Sequence, residues 1–274
     1  MDELQPAPDT KEDATRATAR RGLPKRLYRL ISVGEDIGYR PVAADLGLLL
    51  FIVFVFVGAC ASAIASLLLG SSAAAGVATG LPLAAAAVAQ ISFGACALRS
   101  RAFIQAASNS FLRNALLVLA GAGSLAVVLP ILMSAAALVE GIREQLGMPA
   151  TPEVAHATLL ELQKTGWGMQ SLVLLVNAGV LVPIAEEIGW RGLLFPSLRR
   201  LRFSHIASNV ITTALFTAVH LPSITEGAMM QSVVLLSILS LTLGWLRART
   251  GSLAAPIGLH AAFNAVNLMF VSMA

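Results

Sequence analysis

Charged side chains are scarce in this sequence. Asp, Glu, Lys and Arg make up 12% of its 274 residues and apolar residues 57%, where a soluble domain carries about 25% and about 45–50%. The shortage excludes a disordered chain and leaves too little cationic surface for a nucleic-acid module, although 19 Lys and Arg against 15 Asp and Glu give a net charge of +4. The expected partner is the lipid bilayer, with no nucleic acid. Cysteine is sparse too. Cys60 and Cys96 lie inside apolar runs and form no CxxC spacing, which excludes a disulfide scaffold and a thiolate metal site and leaves small core fillers as the expectation. An early apolar segment with a small-residue cleavage site is missing as well. Residues 1–40 are polar and hold Lys11, Arg16, Arg20, Arg21, Lys25, Arg26, Arg29 and Arg40. No secretory signal peptide is expected. Residues 1–44 read as a basic cytosolic tail, partly disordered because it offers little to bury.

Long apolar runs are what the chain has in quantity. About 20 apolar residues cross the hydrocarbon layer as a helix, because the backbone there must satisfy its own hydrogen bonds. Seven runs qualify, near 47–69, 81–98, 115–138, 173–196, 207–222, 229–246 and 253–272. The expected fold is all-α, a polytopic transmembrane helical bundle over residues 45–274. Gly121 and Gly123 predict a close helix approach in the third span. With the N-terminus in the cytosol, seventeen of the 19 Lys and Arg fall on the cytosolic side and only Arg143 and Lys164 on the other, the split that the positive-inside rule requires. The connection 140–170 is expected to carry a surface helix beginning at Thr151-Pro152-Glu153, a helix-start signature. Trp167, Trp190 and Trp245 are predicted at membrane interfaces, and Asn177, Asn209 and Gln231 are predicted to hydrogen-bond between helices.

An ionisable side chain deep in a bilayer costs at least ~2.5–3.5 kcal/mol, so each one inside a span marks a candidate site. Here these are Glu186, Glu187 and Arg191 in the fourth span, His220 in the fifth and His260 in the seventh, joined by Asn264. At about 1.5 Å per residue, Glu186 and His220 lie ~18 Å from the cytosolic ends of their spans, and His260 and Asn264 ~12 and ~18 Å. One polar layer and a pocket between the fourth, fifth and seventh spans are therefore predicted. Glu187 and Arg191 are spaced i,i+4 as an internal ion pair, and Glu186, rotated by about 100°, faces a different partner. Phe216 with His220, and His260 with Asn264, each share a helix face. His156 and His205 fall outside this layer and read as ordinary interfacial residues.

At these positions the chain resembles the CPBP family of intramembrane proteases, which includes the type II CAAX prenyl endopeptidases and bacterial immunity-type proteins. The matching text is Glu186-Glu187-Ile188-Gly189-Trp190-Arg191-Gly192, Phe216-Thr217-Ala218-Val219-His220 and His260-Ala261-Ala262-Phe263-Asn264, with Thr250-Gly251-Ser252-Leu253 before the last span. The likeness covers a protease core at roughly 170–272. It implies hydrolysis of a peptide bond within a membrane, in a membrane-associated protein or peptide, with lipidated substrates among the candidates. It further implies a multi-pass integral protein, expected in a bacterial cell membrane.

The residue types suggest how such hydrolysis proceeds. No Ser or Cys in the polar layer has a partner base at recognisable spacing, which favours direct attack by water. Glu186 is the expected general base, with His220 holding or deprotonating the water. His260 and Asn264 are expected to donate hydrogen bonds to the oxyanion. Glu187 and Arg191 brace the helix, with Glu187 available as a second carboxylate. Glu186, His220 and His260 could also supply the three protein ligands of a catalytic Zn(II), but no H-E-x-x-H is present and no cofactor is required. Two other readings stand beside the protease. One is a non-catalytic membrane immunity or scaffold protein. The other is a proton-coupled transporter, which would call for inverted repeats that the sequence does not show.

Overall fold

Apolar runs of this length, with no alternation of polar and apolar residues, fold as helices throughout. The computed structural model of the chain describes residues 44–69, 75–99, 111–152, 154–156, 160 and 169–273. The expected basic tail, Trp167 and Lys164 lie outside the described residues. The helices are α1 (Ala44–Leu69), α2 (Ala75–Arg99), α3 (Phe111–Gln145), a composite α4 from Met169–Val176 to Phe195–Arg200, α5 (His205–His220), α6 (Met229–Thr250) and α7 (Ala254–Met273). Among the described residues there is no named strand, only an isolated antiparallel bridge between His156 and Ile224. The fold is an all-α bundle.

Five helical segments are long and apolar enough to cross a membrane: Leu46–Leu69, Gly80–Leu98, Phe111–Gln145, Leu172–Arg200 and Met229–Thr250. Ala254–Phe270 is a shorter apolar helix. α5 has 16 residues, a length of about 24 Å against a hydrocarbon layer of about 30 Å. The chain is an integral membrane protein.

α4 departs from regular helix twice, and each time just before a proline. The turns Asn177–Leu181 and Ile188–Leu194 are π-helical, and Pro183 and Pro196 open the α-helical pieces that follow them. Proline has no N–H to return to the carbonyl four residues back, and a π turn absorbs the defect by passing the ladder to i−5. The Val182 N–H thus bonds the Asn177 carbonyl, skipping Ala178, and the Phe195 N–H bonds the Trp190 carbonyl, skipping Arg191. Both skipped carbonyls are taken by other helices: Asn264 Nδ2 of α7 donates to Ala178 at 2.7 Å, and Arg247 Nε of α6 donates to Arg191 at 3.1 Å. The bulges that prolines impose on α4 become its docking points.

The main apolar core joins α3, α6 and α7 through Leu125, Val128, Leu132, Leu239, Leu243, Leu246, Ala255 and Leu259. Here α3 and α7 touch backbone to backbone. A Cβ on Gly121 would overlap the Ala255 carbonyl, and one on Gly258 would overlap the Val118 carbonyl. The expected close approach at Gly121 is present, whereas Gly123 faces open space with nothing within 4 Å. On the other side of α4, Phe54 of α1 packs with Ile188, Leu193 and Ala97, its ring lying against Gly189.

Three other expectations meet a different structure. Trp190 is not at an interface: its ring is buried, 5.1 Å from Phe51 and 5.7 Å from Phe216 between centroids, because the turn that carries it faces α1 and α5. Cys96 is exposed on α2 instead of filling the core, Cys60 is half-buried, and both are free. The helix expected to start at Thr151 is absent at 151–156, apart from Glu153, which lies outside the described residues. The Thr151 hydroxyl, which would have capped it, donates to Glu140 at 2.6 Å, and the Thr151 N–H points to the same carboxylate at 3.2 Å. The expected interhelical bonds form for Asn177, to the Gly80 carbonyl at 2.7 Å, and for Asn209, to the Leu241 carbonyl at 2.9 Å.

Candidate active site

Glu187 and Arg191 follow one another on the inner face of α4, and neither side chain has any exposed surface. Arg191 Nη1 donates to Glu187 Oε1 at 3.0 Å, the ion pair that the i,i+4 spacing predicts. A buried pair depends on further hydrogen bonds to its polar atoms; Arg191 Nη2 and Glu187 Oε1 have them, whereas Arg191 Nε and Glu187 Oε2 have none from the described residues. Arg191 Nη2 donates to the Ser240 carbonyl at 3.0 Å and to its hydroxyl at 2.7 Å, and the Thr213 hydroxyl donates to the same Ser240 oxygen at 3.1 Å. The guanidinium lies 4.9 Å over the Phe216 ring, a cation–π contact strengthened by the absence of water. Glu187 Oε1 also accepts from His260 Nδ1 at 2.9 Å. Three helices are thereby tied to α4 through one buried carboxylate and one buried guanidinium.

Glu186, one residue earlier, turns away from this network toward the two imidazoles. Its Oε1 lies 3.6 Å from His220 Nε2 and its Oε2 3.7 Å from His260 Nε2. The convergence that the depth count predicts is thus observed between α4, α5 and α7. Exposure separates the groups: Glu186 keeps 23% of its side-chain surface and His220 17%, against 5% for His260 and none for Glu187. Each ring has its second nitrogen fixed. His220 Nδ1 meets the Phe216 carbonyl at 2.7 Å; a carbonyl can only accept, so Nδ1 carries the proton and a neutral ring presents its Nε2 lone pair toward Glu186. His260 is oriented in the same manner by Glu187. Glu186 Oε2 is buried and accepts no hydrogen bond from the described residues.

Asn264 stands one turn beyond His260 on α7, and its amide nitrogen is bonded to Ala178 in the first π turn. Its donor thus serves the α4–α7 junction. Among the described residues, no group of three or more His, Cys, Asp or Glu is arranged to hold a metal ion.

Three residues near the site have no signal in the sequence. Ser240 and Thr213 are ordinary span hydroxyls until Arg191 is seen between them. His156 belongs to the loop after α3, yet its bridge to Ile224 brings it beside the end of α5. Burial and the neighbouring His220 hold its imidazole below the usual histidine range, and the Glu186 carboxylate opposes them. It is therefore part of the surroundings of the site and no bystander.

Residues 168–266 match the family model described as Type II CAAX prenyl endopeptidase Rce1-like. No curated protein and no solved structure matches the chain. The matched stretch contains Glu186, Glu187, Arg191, His220, His260 and Asn264. Over this stretch, about a third of the chain, the protein is similar to the type II CAAX prenyl endopeptidase Rce1-like family, which supports a place in the CPBP group of membrane proteases.

Proposed function

We propose that the protein is an intramembrane endopeptidase that hydrolyses a peptide bond of a membrane-associated protein or peptide by direct attack of water, with Glu186 as the general base. The observation that carries this reading is the meeting of Glu186 with His220 and His260 from three helices, on the half-open side of a network whose other carboxylate is sealed. Glu186 and the Nε2 lone pair of His220 are both acceptors separated by 3.6 Å. A single donor with two O–H groups bridges such a gap, standing roughly 2.8 Å from each. A water there gives a proton to Glu186 as it attacks the carbonyl carbon. The oxyanion forms on the side of His260, whose Nε2 donates to it when the ring carries a second proton. Glu186 then passes its proton to the leaving amine as the C–N bond breaks.

Glu187 and Arg191 hold His260 by its far nitrogen and serve as positioning residues. Asn264 acts through the α4–α7 junction, and its second amide hydrogen remains available for the oxyanion. Peptides with a C-terminal lipid are among the candidate substrates, on the strength of the family description alone. Purified protein incubated with a pool of membrane peptides is expected to generate new termini, and His220→Ala is expected to remove them. Equal cleavage by His220→Ala would refute the assignment.

A further inference from the structure

The two ends of the bundle differ in charge, and the site lies nearer one of them. Arg113 Nη2 reaches the Thr250 carbonyl at 3.4 Å, so α3 begins where α6 ends. A Cβ on Gly47 would meet Ser197 and Arg200, so α1 begins where α4 ends. Gly192 lies beside Leu98 and Leu253, which adds the end of α2 and the start of α7 to the same side. This end holds Arg99, Arg113, Arg199, Arg200, Arg202, Arg247 and Arg249. At the opposite end α3 finishes and the 221–228 loop joins α5 to α6. Its described ionisable residues are Glu140, Arg143, Glu144, His156 and Glu226, and its one arginine is buried against the Pro149 carbonyl.

Glu186 precedes Arg200 by fourteen residues and His220 follows His205 by fifteen, which sets them ~21 and ~22 Å along their helices from the arginine-rich end. Glu186 stands at the middle of the apolar segment Leu172–Arg200, whereas His220 lies past the middle of a hydrocarbon layer about 30 Å thick. His220 is the last residue of α5, and the Ser223 hydroxyl donates to its carbonyl at 3.1 Å. Over this end runs the strap at 154–156. The Thr225 N–H bonds the Ala155 carbonyl at 2.9 Å and the Thr225 hydroxyl bonds the Val154 carbonyl at 3.0 Å. At the strap's other side, Glu140 holds Thr151. His156 on this strap interacts electrostatically with both His220 and Glu186. His220 and the strap that carries His156 thus lie at the arginine-poor end, with α5 running from there toward the arginines.

Arginine and lysine flanking spans are retained on the cytosolic side. Resting on the reading of Glu186 as the reacting carboxylate, we infer that the site takes its substrate from the membrane face away from the cytosol. The bond cut then belongs to an exported or membrane-anchored polypeptide on that face. The strap between Glu140 and Thr225 borders the path of approach.

Two measurements on the full chain in cells test this. In a background with Cys60→Ser and Cys96→Ser, Glu226→Cys and, as a second variant, Glu144→Cys are expected to react with a membrane-impermeant maleimide on intact cells. Arg249→Cys and Arg202→Cys are expected to react only after permeabilisation. The reverse pattern overturns the inference. In parallel, membrane peptides are compared by mass spectrometry between cells carrying the parent chain and Glu186→Gln. Peptides that depend on Glu186 and are cut on the non-cytosolic flank of their anchors support it. Cuts on the cytosolic flank overturn it while leaving the protease reading intact. No Glu186-dependent peptide at all removes the protease reading and the inference with it, whatever side the maleimide reports.

Discussion

Glu186 and Glu187 are neighbours in one helix and live in different surroundings. Glu187 is sealed against Arg191, and through it Ser240, and against His260. Glu186 is partly open and faces two imidazole nitrogens. A rotation of about 100° per residue is enough to divide two identical carboxylates into a structural and a reactive one. The division depends on the core around Phe216, whose ring stacks within 4.4 Å of His220 while supporting Arg191 from its face. Full burial beside a fixed cation produces rigidity. Partial exposure beside two imidazoles leaves a group able to take a proton.

The contrast can be broken from the sealed side first. Arg191→Met leaves the Glu187 carboxylate buried with no cation, and removing one partner of such a pair costs about 3–5 kcal/mol. Loss of folded protein, read as detergent-solubilised monodisperse yield, is the expected outcome, and normal yield would show that the network is not structural. His260 touches both sides, so His260→Ala is expected to lower cleavage by about 10²–10³, measured as the rate of new-terminus formation by folded protein. A smaller loss would remove His260 from the oxyanion. Ser240→Ala removes one of the two acceptors of Arg191 Nη2 and is expected to cost only about 0.5–1.5 kcal/mol in thermal stability. Its cleavage rate should fall less than that of His260→Ala. At the small end, prolonged treatment with a strong chelator is expected to leave the rate unchanged. Activity lost to the chelator and restored by Zn(II) would place a metal among Glu186, His220 and His260.

The sequence makes some of this legible. Hydropathy locates the long helices, and the scarcity of ionisable groups inside apolar runs isolates Glu186, Glu187, Arg191, His220, His260 and Asn264. Helical spacing then pairs Glu187 with Arg191 and separates Glu186 from both, as the distances show. What escapes is whatever depends on a partner far along the chain. Trp190 near a span end resembles an interfacial anchor until Phe51 and Phe216 close over it. Thr151-Pro152 resembles a helix start until Glu140, eleven residues back, takes the capping hydroxyl. The π turns of α4 follow from Pro183 and Pro196, but only the folded bundle shows that Asn264 and Arg247 complete the carbonyls those turns release. His156 has nothing in its own neighbourhood to announce it, since its approach to the site is made by the bridge to Ile224.

The division between the two carboxylates is tested most directly by measuring cleavage and melting temperature side by side for purified Glu186→Gln and Glu187→Gln. The expected result is a rate lowered by about 10²–10⁴ in Glu186→Gln with melting close to that of the parent chain, against a clear drop in melting and a residual rate in Glu187→Gln. A Glu186→Gln protein that cleaves as fast as the parent would contradict the account.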